Sequence, residues 1–182
     1  MGAMTGTAER DLAGMVQSAA EGDEVAFGRI VAAHHDDMRR VCVFITHDDA
    51  LADDAAQSAW TIAWRKLGSL REPDRLRPWL VSVAANEARK LVKKRGRRQA
   101  IEVTADGPEK PGGIDPATGI AGLDLRNAMR RLDPDDRALI AMRYVAGFNA
   151  TELSAAIGLS PSGTRARLAR LLHRLRQDLS DG

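Results

Sequence analysis

The sequence predicts an all-α protein built from two small helical domains joined by a flexible linker. Three observations lead to that class. Apolar residues recur at steps of three and four along one segment after another. No alternating run of strand length interrupts them. Between residues 101 and 122 the period stops, and glycine and proline enter throughout, as expected of a linker. The expected divisions are an N-terminal segment at 1–22, a first domain at 23–99, the linker at 100–122 and a second domain at 123–182.

Taken in order, the first elements read as follows. Met1 to Met4 look like a cloning remnant before a native methionine. Leu12, Met15, Val16 and Ala19 make one or two amphipathic turns that end near Gly22. Asp23 caps the first long helix, whose stripe runs Phe27, Ile30, Val31, His34, Met38, Val41, Cys42 and Ile45. The Asp48-Asp49 pair opens the next, with Leu51, Ala55, Ala59, Ile62, Ala63 and Leu67 inward. Asp53, Asp54 and Gln57 take the opposite side, and Trp60 and Trp64 stand one turn apart. Leu70 to Arg77 reads as a charged loop. Pro78 suits the first turn of a third helix, with Trp79, Leu80, Val83, Ala84, Leu91 and Val92 inward. Its outer side carries Asn86, Arg89, Lys90, Lys93 and Lys94 and continues into Arg95, Arg97 and Arg98.

Beyond the linker, Leu125, Ala128, Met129 and Leu132 begin the second domain. Asp133-Pro134 opens a helix that Gly147 ends. Asn149 caps a short helix, Gly158-Leu159 turns the chain, and Ser160-Pro161 starts a long final helix. One face of that helix is Thr164, Leu168, Leu171, Leu172 and Leu175; the other holds Arg165, Arg167, Arg170, His173, Arg174 and Arg176. Two capped helices, a tight turn and a basic last helix are the sequence form of a helix-turn-helix. The N-terminal part of the last helix would lead into the major groove. Ser162, Gly163, Arg165, Ala166 and Arg167 are therefore candidates at or near the bases, with Arg170 and Arg174 on phosphates and Ser160 at the start of the same DNA-facing helix. A solvated arginine face is the plainer reading of the same residues. A linker of ~20 residues reaches at most ~70 Å, enough for two DNA sites about one and a half to two turns apart at ~34–36 Å per turn.

The net charge is only +2, yet it is segregated. Asp36, Asp37, Asp48, Asp49, Asp53 and Asp54 crowd the first third, and cations crowd 89–98 and 165–176. One surface suited to nucleic acid and another suited to a basic protein partner would produce this pattern. The single cysteine, Cys42, excludes an internal disulfide and a cysteine-based zinc site. No apolar run approaches a membrane span, no secretory signal is visible, and a cytoplasmic location is expected. His34, His35, Asp36 and Asp37 include metal-ligand types. Neighbours on a helix point in different directions, however, so no metal or other cofactor is expected. Phosphate-binding loops, serine elbows and His–Glu zinc motifs are missing, and no catalytic residue is assigned.

In order and spacing the chain resembles the sigma-70 family, specifically RNA polymerase sigma factors of the extracytoplasmic-function type, which keep only regions 2 and 4. Asp53-Asp54-Ala55-Ala56-Gln57-Ser58-Ala59-Trp60 with Trp64, and Pro78-Trp79-Leu80-Val81-Ser82-Val83-Ala84-Ala85-Asn86 with the basic run after it, are similar to region 2. Leu132-Asp133-Pro134-Asp135-Asp136-Arg137, Arg143-Tyr144, Gly147-Phe148 and Gly158-Leu159-Ser160-Pro161 are similar to region 4. The resemblance implies a region 2-like bundle and a region 4-like helix-turn-helix. It implies that Asp53, Asp54, Gln57 and Trp60 dock on the β′ clamp helices of core RNA polymerase, with the β flap as a further contact. It also implies that the 68–77 loop and Asn86, with Arg89, Lys90, Lys93, Lys94, Arg97 and Arg98, melt and hold the −10 element of promoter DNA. An unstacked base needs an edge partner and its strand needs cations. The final helix would read the −35 element, and an anti-sigma factor would cover the polymerase-binding faces. Neither a membrane nor a small-molecule substrate is implied. Gly163 departs from the family, which usually has a larger residue there. The alternatives are a helix-turn-helix regulator that binds operator DNA without polymerase, and a sigma-like adaptor that no longer opens promoters.

Overall fold

The computed structural model describes residues 5–102 and 120–180, and every regular element among them is helical. The helices are α1 (Thr5–Ala20), α2 (Glu24–Thr46), α3 (Asp49–Lys66), α4 (Leu76–Glu102), α5 (Ile120–Arg131), α6 (Pro134–Ile140), α7 (Ala150–Ile157) and α8 (Pro161–Ser180). Short 3-10 turns at Leu67–Ser69 and Pro73–Arg75 lie between α3 and α4, and a π turn at Ala141–Val145 continues α6. Met1 to Met4 and most of the expected linker, 103–119, fall outside the described residues.

Local chemistry sets the helix ends. Asp23 accepts from Val25 N at 2.8 Å and Ala26 N at 3.1 Å, and Asp48 accepts from Leu51 N at 2.9 Å. Asp133 accepts from the amides of Asp135 and Asp136. Asn149 and Glu152 form a reciprocal capping box, in which each side chain takes the other's backbone N–H. Gly158 adopts φ 68°, a left-handed value at which a Cβ would be strained, and this lets the chain reverse between α7 and α8. His47 takes a similar value, φ 53°, at the end of α2, and its N–H reaches Val43 O.

α2, α3 and α4 form a three-helix bundle, with α1 laid against α2. The weakly signalled first segment is thus one helix, and its Val16 and Ala19 are buried. The inner face of α3 is almost entirely alanine: Ala52, Ala55, Ala56, Ala59 and Ala63 are fully buried. Short side chains at a contact let helix axes approach closely. Leu51 and Ile62, expected inward, are only half-buried. α4 buries Leu80, Val81, Ala84, Ala85 and Ala88, so Trp79 and Val83 sit at the edge of the core rather than in it. In the C-terminal half, Phe148, Leu139, Met142, Leu153 and Leu171 fill the centre.

The two halves touch. α6 packs on α2 and α4, and the buried residues of both halves join into one apolar cluster. Arg77 fixes the seam from the bundle side: its Nε donates to Asp37 Oδ2 at 2.8 Å and its Nη1 to Ala146 O at 3.0 Å. The sequence predicts two domains joined by a flexible linker, and its local periods give no sign of this contact between them.

Candidate nucleic-acid interface

The final two helices bring the expected reading elements together. Ser160 Oγ accepts from Gly163 N at 3.1 Å and so caps α8. A Cβ at Gly163 would lie 3.2 Å from that hydroxyl, so glycine leaves room for the cap at a cost in helix propensity. Buried Thr164 lies 3.2 Å from the hydroxyl of Ser154, which registers α8 on α7. Ser162, Arg165, Ala166 and Arg170 are exposed on the outer face, as a groove-reading helix requires. Arg167 and Arg174 differ from them. Both donate to the buried carboxylate of Asp136: Arg167 Nε at 3.1 Å and Nη2 at 2.8 Å, and Arg174 Nη2 at 2.7 Å. These arginines brace α8 on α6 within a cleft that Arg170, His173 and Asp133 also line.

On α4, Asn86 lies half-buried in a cleft of about 550 Å³. Its lining comes from Leu70, Arg71, Glu72 and Arg75 of the preceding loop, Trp79, Ser82 and Val83 of α4, and Glu152, Ala155 and Ala156 of α7. The Asn86 carbonyl accepts from Arg89 Nη1 at 3.1 Å, which leaves its amide N–H groups available. Trp79 was not among the expected site residues. Its spacing of seven from Asn86 puts both on one helical face, and that spacing was the available signal. An indole beside an amide and two arginines is the equipment for stacking and holding an unpaired base.

The cations along α4 divide into engaged and open. Lys90 pairs with Glu87 at 2.6 Å. Lys93 and Arg89 reach across the seam to Asp135, each at 2.8 Å. Burial pushes the Asp135 pKa up, but the Lys93 hydrogen bond and the charges of Arg89, Lys93 and Arg167 outweigh it and hold it below the usual carboxylate range. Lys94, Arg97 and Arg98 are exposed and carry no ion pair among the described residues.

The acidic face of α3 is also partly as expected. Asp53, Asp54 and Gln57 are exposed, with Asp53 held at 2.7 Å by Arg39, which also takes Asp49. Trp60 is half-buried: it stacks edge-on to Phe27 and donates its indole N–H to His35 Nδ1 at 3.2 Å. Trp64, one turn on, is 39% exposed and presents the accessible indole of that face. Cys42 is fully buried, and burial pushes its thiol up to about 12. Among the described residues no three His, Cys, Asp or Glu side chains converge as metal ligands, and no helix is long and apolar enough to cross a membrane.

Comparison with known proteins agrees with this division. The family profile for sigma-70 region 2 matches residues 30–98, and that for sigma-70 region 4 matches residues 122–175. A probable RNA polymerase sigma factor, RfaY, of Xanthomonas campestris pv. campestris is 30% identical over 171 residues, covering 88% of this chain. The chain spans only 42% of that protein's length. The RNA polymerase sigma factor CarQ of Myxococcus xanthus is 28% identical over 88% of this chain and 93% of its own length. The sigma factor RpoE from Bartonella quintana, solved in complex with the anti-sigma factor NepR, shares the fold at a TM-score of 0.64. It is 23% identical, with 85% of this chain and 96% of that one covered. The two matched regions, which together span more than half of the sequence, show that this chain belongs to the sigma-70 family of RNA polymerase sigma factors.

Proposed function

We propose that the chain docks on core RNA polymerase through the exposed face of α3, opens and holds the −10 element in the Asn86 cleft, and reads the −35 element with α8. As a sigma factor it directs promoter-specific initiation, and nucleotide transfer belongs to the polymerase. The observation that carries the proposal is the presence of two separate DNA-suited surfaces on one chain. A duplex-binding regulator needs only the helix-turn-helix. The Asn86–Trp79 cleft suits a single unstacked base and has no use on closed DNA.

The roles divide by chemistry. Asp53, Asp54 and Gln57, with Trp60 behind them, meet the β′ clamp helices, and the C-terminal half meets the β flap. Asn86 pairs with the edge of a flipped base, while Arg89, Lys90, Lys93, Lys94, Arg97 and Arg98 follow the strand. On α8, Ser160, Ser162, Gly163, Arg165 and Ala166 lie at the bases, and Arg167, Arg170 and Arg174 lie farther back. The complex seen for RpoE with NepR supports an anti-sigma partner for this chain as well. The protein acts in the cytoplasm, where the polymerase is.

Run-off transcription with purified core polymerase on a pool of genomic promoter fragments tests the reading. New discrete transcripts that depend on this protein are expected. Asn86→Ala should impair opening and spare core binding. Absence of transcripts together with tight duplex binding by the protein alone would overturn the proposal in favour of an operator-binding regulator.

A further inference from the structure

Two adjacent carboxylates at the start of α6 gather cations from both proposed DNA-facing surfaces. Asp135 takes Lys93 Nζ on both oxygens, at 2.8 and 2.9 Å, and lies 2.8 Å from Arg89 Nε. Asp136 takes Arg167 through two nitrogens and Arg174 through one. Two cations of α4 and two of α8 thus end on one dipeptide. Arg89 Nε is buried and its N–H is not aimed along the contact, so that pair is held by charge more than by a hydrogen bond.

Cations that meet phosphate add affinity for any sequence alike, through release of counterions. A protein that must find a few promoters among many competing sites gains from limiting that contribution. We propose that Asp135 and Asp136 are specificity-determining residues, which withhold Arg89, Lys93, Arg167 and Arg174 from DNA phosphates in the free chain and so suppress binding to non-specific duplex. The proposal rests on the reading of α4 and α8 as DNA-facing surfaces.

The two carboxylates act differently. Asp135 spans the seam between the halves, and its side chain is 35% exposed. Separation of α6 from α4 releases Lys93 and Arg89, and a strand phosphate then replaces the carboxylate. Asp136 is 4% exposed and bridges helices of the same half, so its pairs persist when the halves part. Base contact by α8 therefore falls to Ser162, Gly163, Arg165 and Ala166, Arg170 is left for phosphate, and Arg167 and Arg174 position the helix.

The test uses the full chain without polymerase, binding a labelled random-sequence duplex across a potassium chloride series. The slope of log affinity against log salt is about −0.9 per phosphate neutralised. Asp135→Asn should steepen the slope by about one to two units and tighten low-salt binding on the order of tenfold. Asp136→Asn should shift it in the same direction. Asp135→Glu should return the wild-type slope. Asp36→Asn, an equal charge change away from this seam, should leave it unmoved. Adding Arg89→Ala and Lys93→Ala to Asp135→Asn should cancel the gain. A wild-type slope in Asp135→Asn, or a gain that survives loss of both cations, would overturn the inference. A Lys94→Ala/Arg98→Ala pair separates the two readings, because both cations are unpaired among the described residues. If that pair leaves duplex binding unchanged, the assignment of α4 to DNA fails. If it weakens binding while Asp135→Asn does nothing, only the withholding role fails.

Discussion

Replacing Arg77 by alanine probes the seam between the two halves most directly. The guanidinium makes two bonds, one to Asp37 within the bundle and one to Ala146 O at the end of the π turn. A hydrogen bond to a charged group is worth about 1.5–3 kcal/mol. The Arg77 side chain is 41% exposed, so the Asp37 pair is discounted to roughly 1 kcal/mol. Asp37 keeps its second partner, Arg40, and is not left bare. Ala146 is 6% exposed, so its carbonyl loses a donor that water does not readily replace, at about 1 kcal/mol more. The expected loss is about 2 kcal/mol, or roughly 4–8 °C in Tm for a chain of this size. Urea unfolding by two probes measures it. All three tryptophans (Trp60, Trp64 and Trp79) lie in the bundle, so their fluorescence reports that half, and far-ultraviolet circular dichroism reports both. In the wild type one shared core should make the two transitions coincide. In Arg77→Ala they should separate. His34 supplies a second readout. Burial lowers its pKa most; Asp37 opposes this and the Arg77 charge adds to it. Loss of Arg77 should therefore raise the His34 pKa in an NMR titration. A stability change below about 0.5 kcal/mol, the size of an ordinary surface substitution, with coincident transitions and an unmoved His34, would refute the reasoning.

Other outcomes follow from the same geometry. Trp79→Ala should reduce promoter opening by about 5- to 150-fold, the equivalent of one stacked base at ~1–3 kcal/mol, with core binding intact; permanganate footprinting of the open complex reads this, and unchanged opening would remove Trp79 from the site. Gly163→Ala gains about 1 kcal/mol of helix propensity but crowds the Ser160 cap, itself worth ~1 kcal/mol, so thermal melting should show almost no net change. Acid should destabilise the fold by a definite sequence of events. His34, Asp37, Asp48 and Asp135 all have folded pKa values below their ordinary ones, so the folded state binds fewer protons and each contribution is lost as pH falls. The His34 share should fade as pH drops from its ordinary 6.5 through its lower folded value, and the carboxylate share should follow below ~3.9; urea midpoints across pH check the order, and His34→Gln should remove the first step alone. Cys42, buried and with its thiol pushed up to about 12, should react with a thiol reagent at neutral pH only as fast as the protein opens.

The places where sequence reading succeeded and where it fell short share a physical explanation. Helix starts and stops depend on groups a few residues apart. Asp23, Asp48, Asp133 and Asn149 each cap amides two or three positions on, so the residue type at one position predicts a bond nearby. The same holds for the Gly158 turn, for the apolar stripes and for the exposure of Asp53, Asp54, Arg165 and Arg170. The helix-turn-helix, the all-helical class and the family resemblance were all legible on that basis. Trp79 packs against the core, as its period predicts, and also lines the cleft, because periodicity gives a face to a residue and not the depth of the groove beside it.

What only the tertiary structure decided is which charges are free. The sequence displays Arg89, Lys93, Arg167 and Arg174 as four more cations on basic faces, indistinguishable from Lys94 or Arg165. Their partners stand 42, 31 and 38 residues away for Lys93, Arg167 and Arg174, on another helix and, for α4, in the other half of the molecule. Local periodicity carries no information about such pairs, because they form only after the helices have packed. Composition and spacing determined where the helices lie and which surfaces are basic. Packing of α6 against α4 and α8 determined how much of that positive charge is already neutralised by the protein's own carboxylates.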